Sequence, residues 1–226
     1  MNPNDKYEAE FLLMYNNKSD FEQALNDISS REFKKDQEYI QMSAYTDTHD
    51  YKLACTGSSL TFRVLPNEEK LYCVLKTSHC SIVENKLLVR REIGRLVNSK
   101  SFDFSTDISI ALKRTINCET EAFYPSLLIK QERYHFSSTY LDSKIHLSFD
   151  KVKYITPDHE ESDFFYFSEI EISESQLETM LSKGFKHATL IKDRYIKIYN
   201  SKLIYPSKYL HGLISLNKIS ENLSIL

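Results

Sequence analysis

Glycine, cysteine and long apolar runs are all scarce in this sequence, and each scarcity excludes a class of protein. Only four of the 226 residues are glycine, which excludes the Gly-rich phosphate loops of P-loop and dinucleotide-binding proteins. The four cysteines lack the C-x-x-C spacing of common zinc sites; they are Cys55, Cys73, Cys80 and Cys118. No apolar run approaches the ~20 residues that cross a membrane, and the polar residues 1–6 are followed by no stretch typical of a signal peptide. These features predict a cytoplasmic protein with no membrane partner and with free cysteines.

A strong excess of basic residues is also missing. The chain has 29 Lys and Arg against 32 Asp and Glu, a formal net charge of -3, which argues against duplex nucleic acid as a partner. Hydrophobic residues, by contrast, make up 41% of the chain and include 15 Tyr and 13 Phe. This length and composition predict one domain over residues 1–226 with a substantial core.

Alternation with a period of two dominates the chain and predicts β-strands. In the first predicted strand, residues 7–15, Tyr7 and Ala9 alternate with Glu8 and Glu10. Segments of the same kind predict further strands; they cover residues 38–47, 59–65, 71–76, 87–93, 127–136, 145–150, 164–172 and 195–199. Helices are predicted over residues 105–116, 174–183 and 208–219, and also after Ser19, which forms a capping-box pattern with Glu22. Eight or nine strands with few helices predict an α+β protein that is mainly antiparallel, a barrel or a sandwich.

Charged residues recur on one face of several predicted strands. Glu169 and Glu171 alternate with Ile170 and Ile172. The same alternation surrounds three further charged residues, Arg63, Arg90 and Glu92. The solvent-exposed face of an antiparallel sheet explains such a pattern. A closed barrel with helices over an apolar outer face explains it too, because the charges then point inward and need metal ions and phosphate oxygens as partners. The period alone leaves both arrangements open.

Nine short motifs follow one another along these strands. They are Glu8-Ala9-Glu10, Tyr45-Thr46-Asp47-Thr48, Leu60-Thr61-Phe62-Arg63, Val74-Leu75-Lys76, Arg90-Arg91-Glu92-Ile93-Gly94, Lys130-Gln131-Glu132-Arg133-Tyr134, Asp150, Glu169-Ile170-Glu171 and Lys192-Asp193-Arg194-Tyr195. In order and strand placement, over residues 7–199, they resemble the motifs of the CYTH superfamily, also called the triphosphate tunnel metalloenzymes.

The resemblance implies a fold, a cofactor and a set of site residues. The implied fold is an eight- or nine-stranded closed β-barrel, a tunnel with flanking helices, that binds Mg²⁺ or Mn²⁺ and a triphosphate-containing small molecule. The implied metal ligands are Glu8, Glu10, Asp150, Glu169 and Glu171. The implied catalytic residues are Glu8, Glu10, Glu92, Glu169 and Glu171. The implied phosphate-binding residues are Arg63, Lys76, Arg90, Lys130 and Arg133; Gln131 is the alternative to Lys130, because Lys130 and Arg133 have opposite parity on one strand.

Three positions depart from the charged pattern of that family. Leu12 stands where the first motif usually has Lys, Thr61 where the second strand motif has Arg, and Gly94 where the R-x-E-x-E motif has its last Glu. The implied activity is metal-dependent hydrolysis of inorganic triphosphate or of an organic triphosphate. A class IV-type adenylate cyclase, which makes cyclic AMP and diphosphate from ATP, stays open as an alternative. A nucleotide- or polyphosphate-binding module without turnover also stays open, as does a homodimer.

Overall fold

The computed structural model describes residues 5–28, 33–64, 70–82, 87–97, 105–116, 122–140, 143–174, 185–204 and 207–220. These residues form nine strands: β1 (Asp5–Tyr15), β2 (Lys34–Asp47), β3 (Ser59–Val64), β4 (Leu71–Ile82), β5 (Leu87–Leu96), β6 (Tyr124–Tyr140), β7 (Ser143–Ile155), β8 (Phe165–Glu174) and β9 (Ser201–Ile204). They also form five helices: α1 (Lys18–Ile28), α2 (Lys52–Cys55), α3 (Thr106–Ile116), α4 (Phe185–Tyr199) and α5 (Lys208–Ser215). None of these helices is long and apolar enough to cross a membrane.

The first eight strands close into an antiparallel barrel. Their order is β5-β4-β3-β2-β6-β7-β8-β1, and β1 also pairs with β5, which completes the circle. β1 can hold three partners because two of them share one edge: β5 pairs with Asp5 to Glu10, and β9 pairs with Leu12 to Tyr15. The predicted fold, a closed and mainly antiparallel barrel of eight or nine strands with flanking helices, is confirmed.

Helices cover the apolar outer face of the barrel. Phe11 of β1 and Phe149 of β7 belong to a buried cluster with Phe21 of α1 and Tyr195 of α4. The ring of Phe149 lies 5.8 Å from that of Phe21 and 5.9 Å from that of Tyr195, centroid to centroid. A second outer cluster packs α3 on β3, β4 and β5. Because successive strand residues point to opposite faces, this covering directs the alternate residues, such as Glu8 and Glu10, into the barrel.

Helix α5 fills one end of the barrel interior. Tyr209 and Leu213 of this helix pack on Leu12, Ile129 and Phe167, which lie on the inner face of β1, β6 and β8. The helix begins after Ser207, whose side chain accepts a hydrogen bond from the backbone N–H of Leu210 at 3.3 Å. The hydroxyl of Tyr209 donates to the buried carboxylate of Asp47 at 3.0 Å. The interior therefore has an apolar half closed by α5 and a polar half beyond it.

Substitution of Gly212 tests how closely α5 packs inside the barrel. A Cβ atom at Gly212 would lie 2.6 Å from Leu127 Cδ2 and 2.6 Å from Tyr154 Cδ1, so it would push the helix out of place. We expect Gly212→Ala to lower the free energy of unfolding, measured by urea denaturation, by about 1–2 kcal/mol. This loss should exceed the gain that Ala brings because it favours helices over Gly. Gly94→Ala is the matched control, because a Cβ there meets no atom of the described part of the chain within 4 Å. Equal stability of the two variants would contradict the close packing.

The local predictions were wrong in several places. Residues 195–199, predicted as a strand, end α4, where Ala188, Ile191, Tyr195 and Tyr199 are buried with helical spacing. The short elements α2 and β9 were not predicted. Helix α1 begins before the predicted cap: the side chain of Asn17, not Ser19, accepts the backbone N–H of Asp20 at 2.9 Å.

Other predicted elements were confirmed or extended. The helix predicted over residues 105–116 is α3, and the one predicted over 208–219 is α5, which ends at Ser215. The strands predicted at 71–76, 127–136 and 145–150 are present but longer. The helix predicted over 174–183 lies outside the described residues except for Glu174, which ends β8.

Candidate functional site

The polar half of the barrel interior surrounds a cavity of about 270 Å³. Among the described residues, six basic and five acidic side chains line it: Lys6, Arg63, Lys76, Arg90, Arg133 and Lys208, with Glu8, Glu10, Glu92, Glu169 and Glu171. Side-chain exposure falls from 38% at Lys6 to 0% at Glu8 and 6% at Lys208. The cavity therefore meets solvent at the end where β1 begins, which we call the mouth, and α5 forms its floor.

Nine of the residues implied by the resemblance share this cavity. They are Glu8, Glu10, Arg63, Lys76, Arg90, Glu92, Arg133, Glu169 and Glu171. They come from strands distributed around the whole barrel, so only closure of the sheet brings them together. Two further residues, Lys130 and Asp150, do not line the cavity.

The placement of Lys130 in the site is wrong. Lys130 is exposed on the outer face of β6, in a groove that also contains Glu132 and Lys151. Its neighbour Gln131 is buried in the cavity wall and donates a hydrogen bond to Gln41 at 3.1 Å. Alternation along the strand explains the difference. Residues 131 and 133 point to the same side of the sheet, Arg133 faces inward, and Lys130 therefore points outward.

Asp150 is also placed differently from the prediction. It is completely buried, and Arg133 donates to both of its oxygens, from Nε at 2.7 Å and from Nη2 at 2.8 Å. Lys208 contacts the same carboxylate, and the hydroxyl of Ser148 donates to it at 3.3 Å. Both Asp150 oxygens are therefore already occupied by Arg133, Lys208 and Ser148.

Three carboxylates form a compact group of candidate metal ligands. Oxygen atoms of Glu8, Glu10 and Glu171 lie within 4.8 Å of one another. The Oε2 atom of Glu8 is buried and has no hydrogen-bond partner among the described residues. Burial raises the pKa of Glu10 to about 7, although Arg90 acts in the opposite direction. Crowded, partly unsatisfied carboxylates of this kind fit a hard divalent cation.

Glu169, the fourth implied ligand from the E-x-E motifs, lies in a separate ion-pair group. Its oxygens contact Arg133 Nη2 at 2.6 Å and Lys208 Nζ at 3.0 Å. Burial acts to raise the pKa of Glu169, but Lys208 and Arg133 hold that pKa below its ordinary value. Glu169 therefore remains a carboxylate that positions two cations.

The basic residues at the centre of the cavity are paired with the carboxylates. Lys76 Nζ lies 2.6 Å from Glu8 Oε1 and 3.3 Å from Glu92 Oε2. Arg90 Nη2 lies 2.9 Å from Glu8 and 2.7 Å from Glu10. The Nε atoms of Arg63 and Arg90 are buried and have no hydrogen-bond partner among the described residues. Two residues of the cavity wall thus keep a buried donor without a partner in the described part of the chain, and an anion is one group that could accept such a donor.

Glu92 remains ionised beside these cations. Burial acts to raise its pKa, but Lys76, Lys6 and Arg63 lower it to about 2. Glu92 lies 3.3 Å from Lys76 and 4.0 Å from Lys6. It therefore holds lysines near the mouth in position.

Sequence reasoning missed two basic residues of the cavity. Lys6 contacts Glu171 at 3.3 Å, and its parity with Glu8 and Glu10 on β1 was the signal that could have identified it. Lys208 comes from α5, where the helical pattern carries no indication that one side chain enters a barrel. It reaches the inner end of the cavity close to the apolar half that contains Leu12.

Solved structures share this fold, although no family model and no curated protein matches the sequence. HpAC1 of Hippeastrum, described as a candidate adenylyl cyclase with a dominant triphosphatase activity, aligns with a TM-score of 0.60 and 13% identity over 96% of this chain and 99% of its own. A candidate adenylate cyclase of Bacillus halodurans aligns with a TM-score of 0.54 and 16% identity over 94% of this chain and 100% of its own. The PH1819 protein of Pyrococcus horikoshii aligns with a TM-score of 0.56 and 17% identity over 94% of this chain and 99% of its own. At these identities the likeness establishes a common fold over nearly the whole chain.

Proposed function

We propose that this chain is a metal-dependent triphosphatase of the CYTH, or triphosphate tunnel, type. The observation that carries the proposal is that one cavity wall contains both a carboxylate oxygen and guanidinium donors that lack hydrogen-bond partners among the described residues. Glu8 has a buried carboxylate oxygen without a partner among the described residues, and Arg63 and Arg90 have buried donors without one. A divalent cation and a polyphosphate would satisfy these groups together. The dominant triphosphatase activity described for HpAC1 supports the same reaction.

Glu8, Glu10 and Glu171 would hold the metal ion, Mg²⁺ or Mn²⁺. All three offer only carboxylate oxygens, which these hard cations prefer. When bound, such an ion would offset the negative charge of the phosphates and make water a better nucleophile. Burial raises the pKa of Glu10 to about 7, so metal binding near neutral pH would release the proton from the fraction of Glu10 that carries one.

The basic residues would hold the phosphates. Arg63 and Arg90 suit paired contacts with phosphate oxygens, and Lys76 supplies a compact charge between them. Lys76 pairs with Glu8, and Arg90 pairs with Glu10. Both cations would become available to phosphate if those carboxylates ligated a metal.

The deeper cations would fix the far end of the triphosphate. Arg133 and Lys208 are both held by Asp150 and Glu169, and this support limits their motion before substrate enters. Pre-positioned charges of this kind stabilise phosphoryl transfer without reorganisation. Water would attack the terminal phosphorus and lose a proton to solvent, while the bond to the bridging oxygen breaks and that oxygen departs with the diphosphate part of the substrate; the terminal group is released as orthophosphate.

Product analysis tests the proposal. The purified protein is incubated with inorganic triphosphate, ATP or thiamine triphosphate, each with Mg²⁺ or Mn²⁺, and orthophosphate, diphosphate and cyclic AMP are separated. We expect metal-dependent release of orthophosphate from at least one substrate and no release in EDTA. Cyclic AMP with diphosphate from ATP would overturn the hydrolase in favour of a cyclase. Binding of nucleotide without any product would overturn the enzyme altogether.

A further inference from the structure

Two histidines and an aspartate meet at the mouth of the cavity, apart from the three glutamates. Asp36 of β2, His135 of β6 and His146 of β7 each offer a ligand atom, and these atoms lie within 4.8 Å of one another. Asp36 Oδ2 lies 3.1 Å from His135 Nδ1, and the centroids of the two imidazole rings are 5.1 Å apart. Three adjacent strands thus contribute one side chain each to a single point.

An irregularity in β2 brings Asp36 to this point. The residues of β2 that line the cavity are Tyr39, Gln41, Ser43 and Tyr45, so simple alternation would place residue 36 on the outer face. The pairing of β2 with β6 shifts between Lys35 and Gln37, which leaves Asp36 as the extra residue of a bulge. Bulges re-aim side chains in this way.

The bulge gives the Asp36 carboxylate a fixed direction. One oxygen, Oδ2, faces the inward-pointing ring of His135, and the other, Oδ1, accepts a hydrogen bond from the hydroxyl of Ser137 at 3.0 Å. A hydrogen bond to the second oxygen of a ligating carboxylate is a common feature of metal sites, because it orients the ligand. A hydrogen bond between His135 and Asp36 alone would not explain why a ligand atom of His146, on the next strand, lies within 4.8 Å of both.

We propose that Asp36, His135 and His146 form a transition-metal site at the mouth, with Zn²⁺ as the expected ion. Two imidazole nitrogens and one carboxylate oxygen suit Zn²⁺ or Co²⁺, whereas the all-carboxylate group suits Mg²⁺ or Mn²⁺. Three protein ligands leave a coordination position for water or for an anionic substrate. Asp36 and His135 are 30% and 25% exposed, so an ion can reach them from solvent.

The two sites would be neighbours but independent. His146 of β7 is the register partner of Glu171 of β8, and Glu171 belongs to the carboxylate group. The ion at the mouth would add a divalent charge beside Lys6, where a polyphosphate enters the cavity. Binding at the mouth needs no turnover, so the inference goes beyond the proposed hydrolysis and is tested without an activity assay.

Cobalt spectroscopy tests the site. Co²⁺ is titrated into the full-length protein in excess Mg²⁺, which occupies the carboxylate group, and the visible d–d absorption is followed. We expect one saturable equivalent with the intense bands of four- or five-coordinate Co²⁺, and displacement by Zn²⁺, which binds such ligands more tightly. His135→Ala and His146→Ala should each weaken binding by about 100-fold or more, and Asp36→Asn by about 10- to 100-fold.

Two control variants show whether the cobalt bands arise at the mouth or elsewhere on the protein. His159→Asn changes an exposed histidine of a distant turn and should leave the titration unchanged. Glu8→Gln alters the carboxylate group and should also leave the bands in place. No saturable bands, bands that survive His135→Ala, or bands lost only in Glu8→Gln would overturn the mouth site. None of these results depends on whether the protein hydrolyses triphosphate.

Discussion

Glu8→Gln should reduce metal-dependent triphosphate hydrolysis by about 100- to 1000-fold, equivalent to about 3–4 kcal/mol of transition-state stabilisation. Glu8 contributes the buried carboxylate oxygen that has no partner among the described residues. An amide of the same shape keeps a carbonyl oxygen but loses the negative charge that strengthens the binding of a divalent cation. The measurement is steady-state release of orthophosphate with increasing Mg²⁺, where the variant should also need a higher metal concentration.

The fold should tolerate this change, because both cations that contact Glu8 have a second partner. Arg90 keeps Glu10 at 2.7 Å, and Lys76 keeps Glu92 at 3.3 Å. The circular dichroism spectrum should therefore match that of the unaltered protein. Glu132→Gln is the matched control, since Glu132 lies on the outer face and pairs with Lys151. Turnover equal to that control would remove the carboxylate group from the proposed mechanism.

The strands could be predicted from the sequence, but the side of the sheet that forms the interior could not. Alternation in β1 shows that Glu8 and Glu10 share one face and that Phe11 lies on the other. It does not show which face is covered, because an apolar face can form a core or pack under helices. Helices α1 and α4 determine which face is covered, because Phe21 and Tyr195 of these helices pack on the outer face. That packing joins segments far apart in the chain.

Side-chain parity was informative for single strands and failed where regularity failed. Parity favoured Gln131 over Lys130, and the structure agrees. Parity would place Asp36 outside, whereas the bulge between Lys35 and Gln37 re-aims it. Asp150 has the inward parity of its strand, but its carboxylate is already occupied by Arg133 and Lys208. A sequence pattern indicates to which side of the sheet a side chain points. Whether that side chain is available to bind a ligand depends on the residues that other strands and helices place beside it.

Leu12 and Lys208 concern the first of the three positions at which the sequence departs from the motifs that it resembles. The inner face of β1 carries Leu12 where the resemblance implies Lys, and Leu12 packs on the apolar side of α5. Lys208, at the start of the same helix, supplies a positive charge to the inner end of the cavity. A lysine at position 12 would face the buried apolar cluster around Leu210 and Leu213. In this chain a positive charge at the inner end of the cavity therefore comes from the helix that closes the barrel.

Lys208→Met should weaken the binding of triphosphate and lower stability at the same time. Loss of a charge-assisted contact to phosphate should raise KM by about 10- to 100-fold. The free energy of unfolding should fall by about 2–3 kcal/mol, because Lys208 is 6% exposed and neutralises Asp150 and Glu169. Lys218→Met is the control, since Lys218 forms an exposed pair with Glu160 and should change neither KM nor stability measurably.

A double variant separates the two effects of Lys208. Asp150→Asn combined with Lys208→Met removes one buried negative charge together with the positive one, and Arg133 still has Glu169 at 2.6 Å. If the stability loss comes from unbalanced charge, the double variant should unfold at a higher urea concentration than Lys208→Met. Its KM should nevertheless remain high, because the cation proposed to contact phosphate is still missing. Recovery of KM along with stability would mean that Lys208 only supports the barrel interior, and Arg133 would then be the deepest phosphate contact.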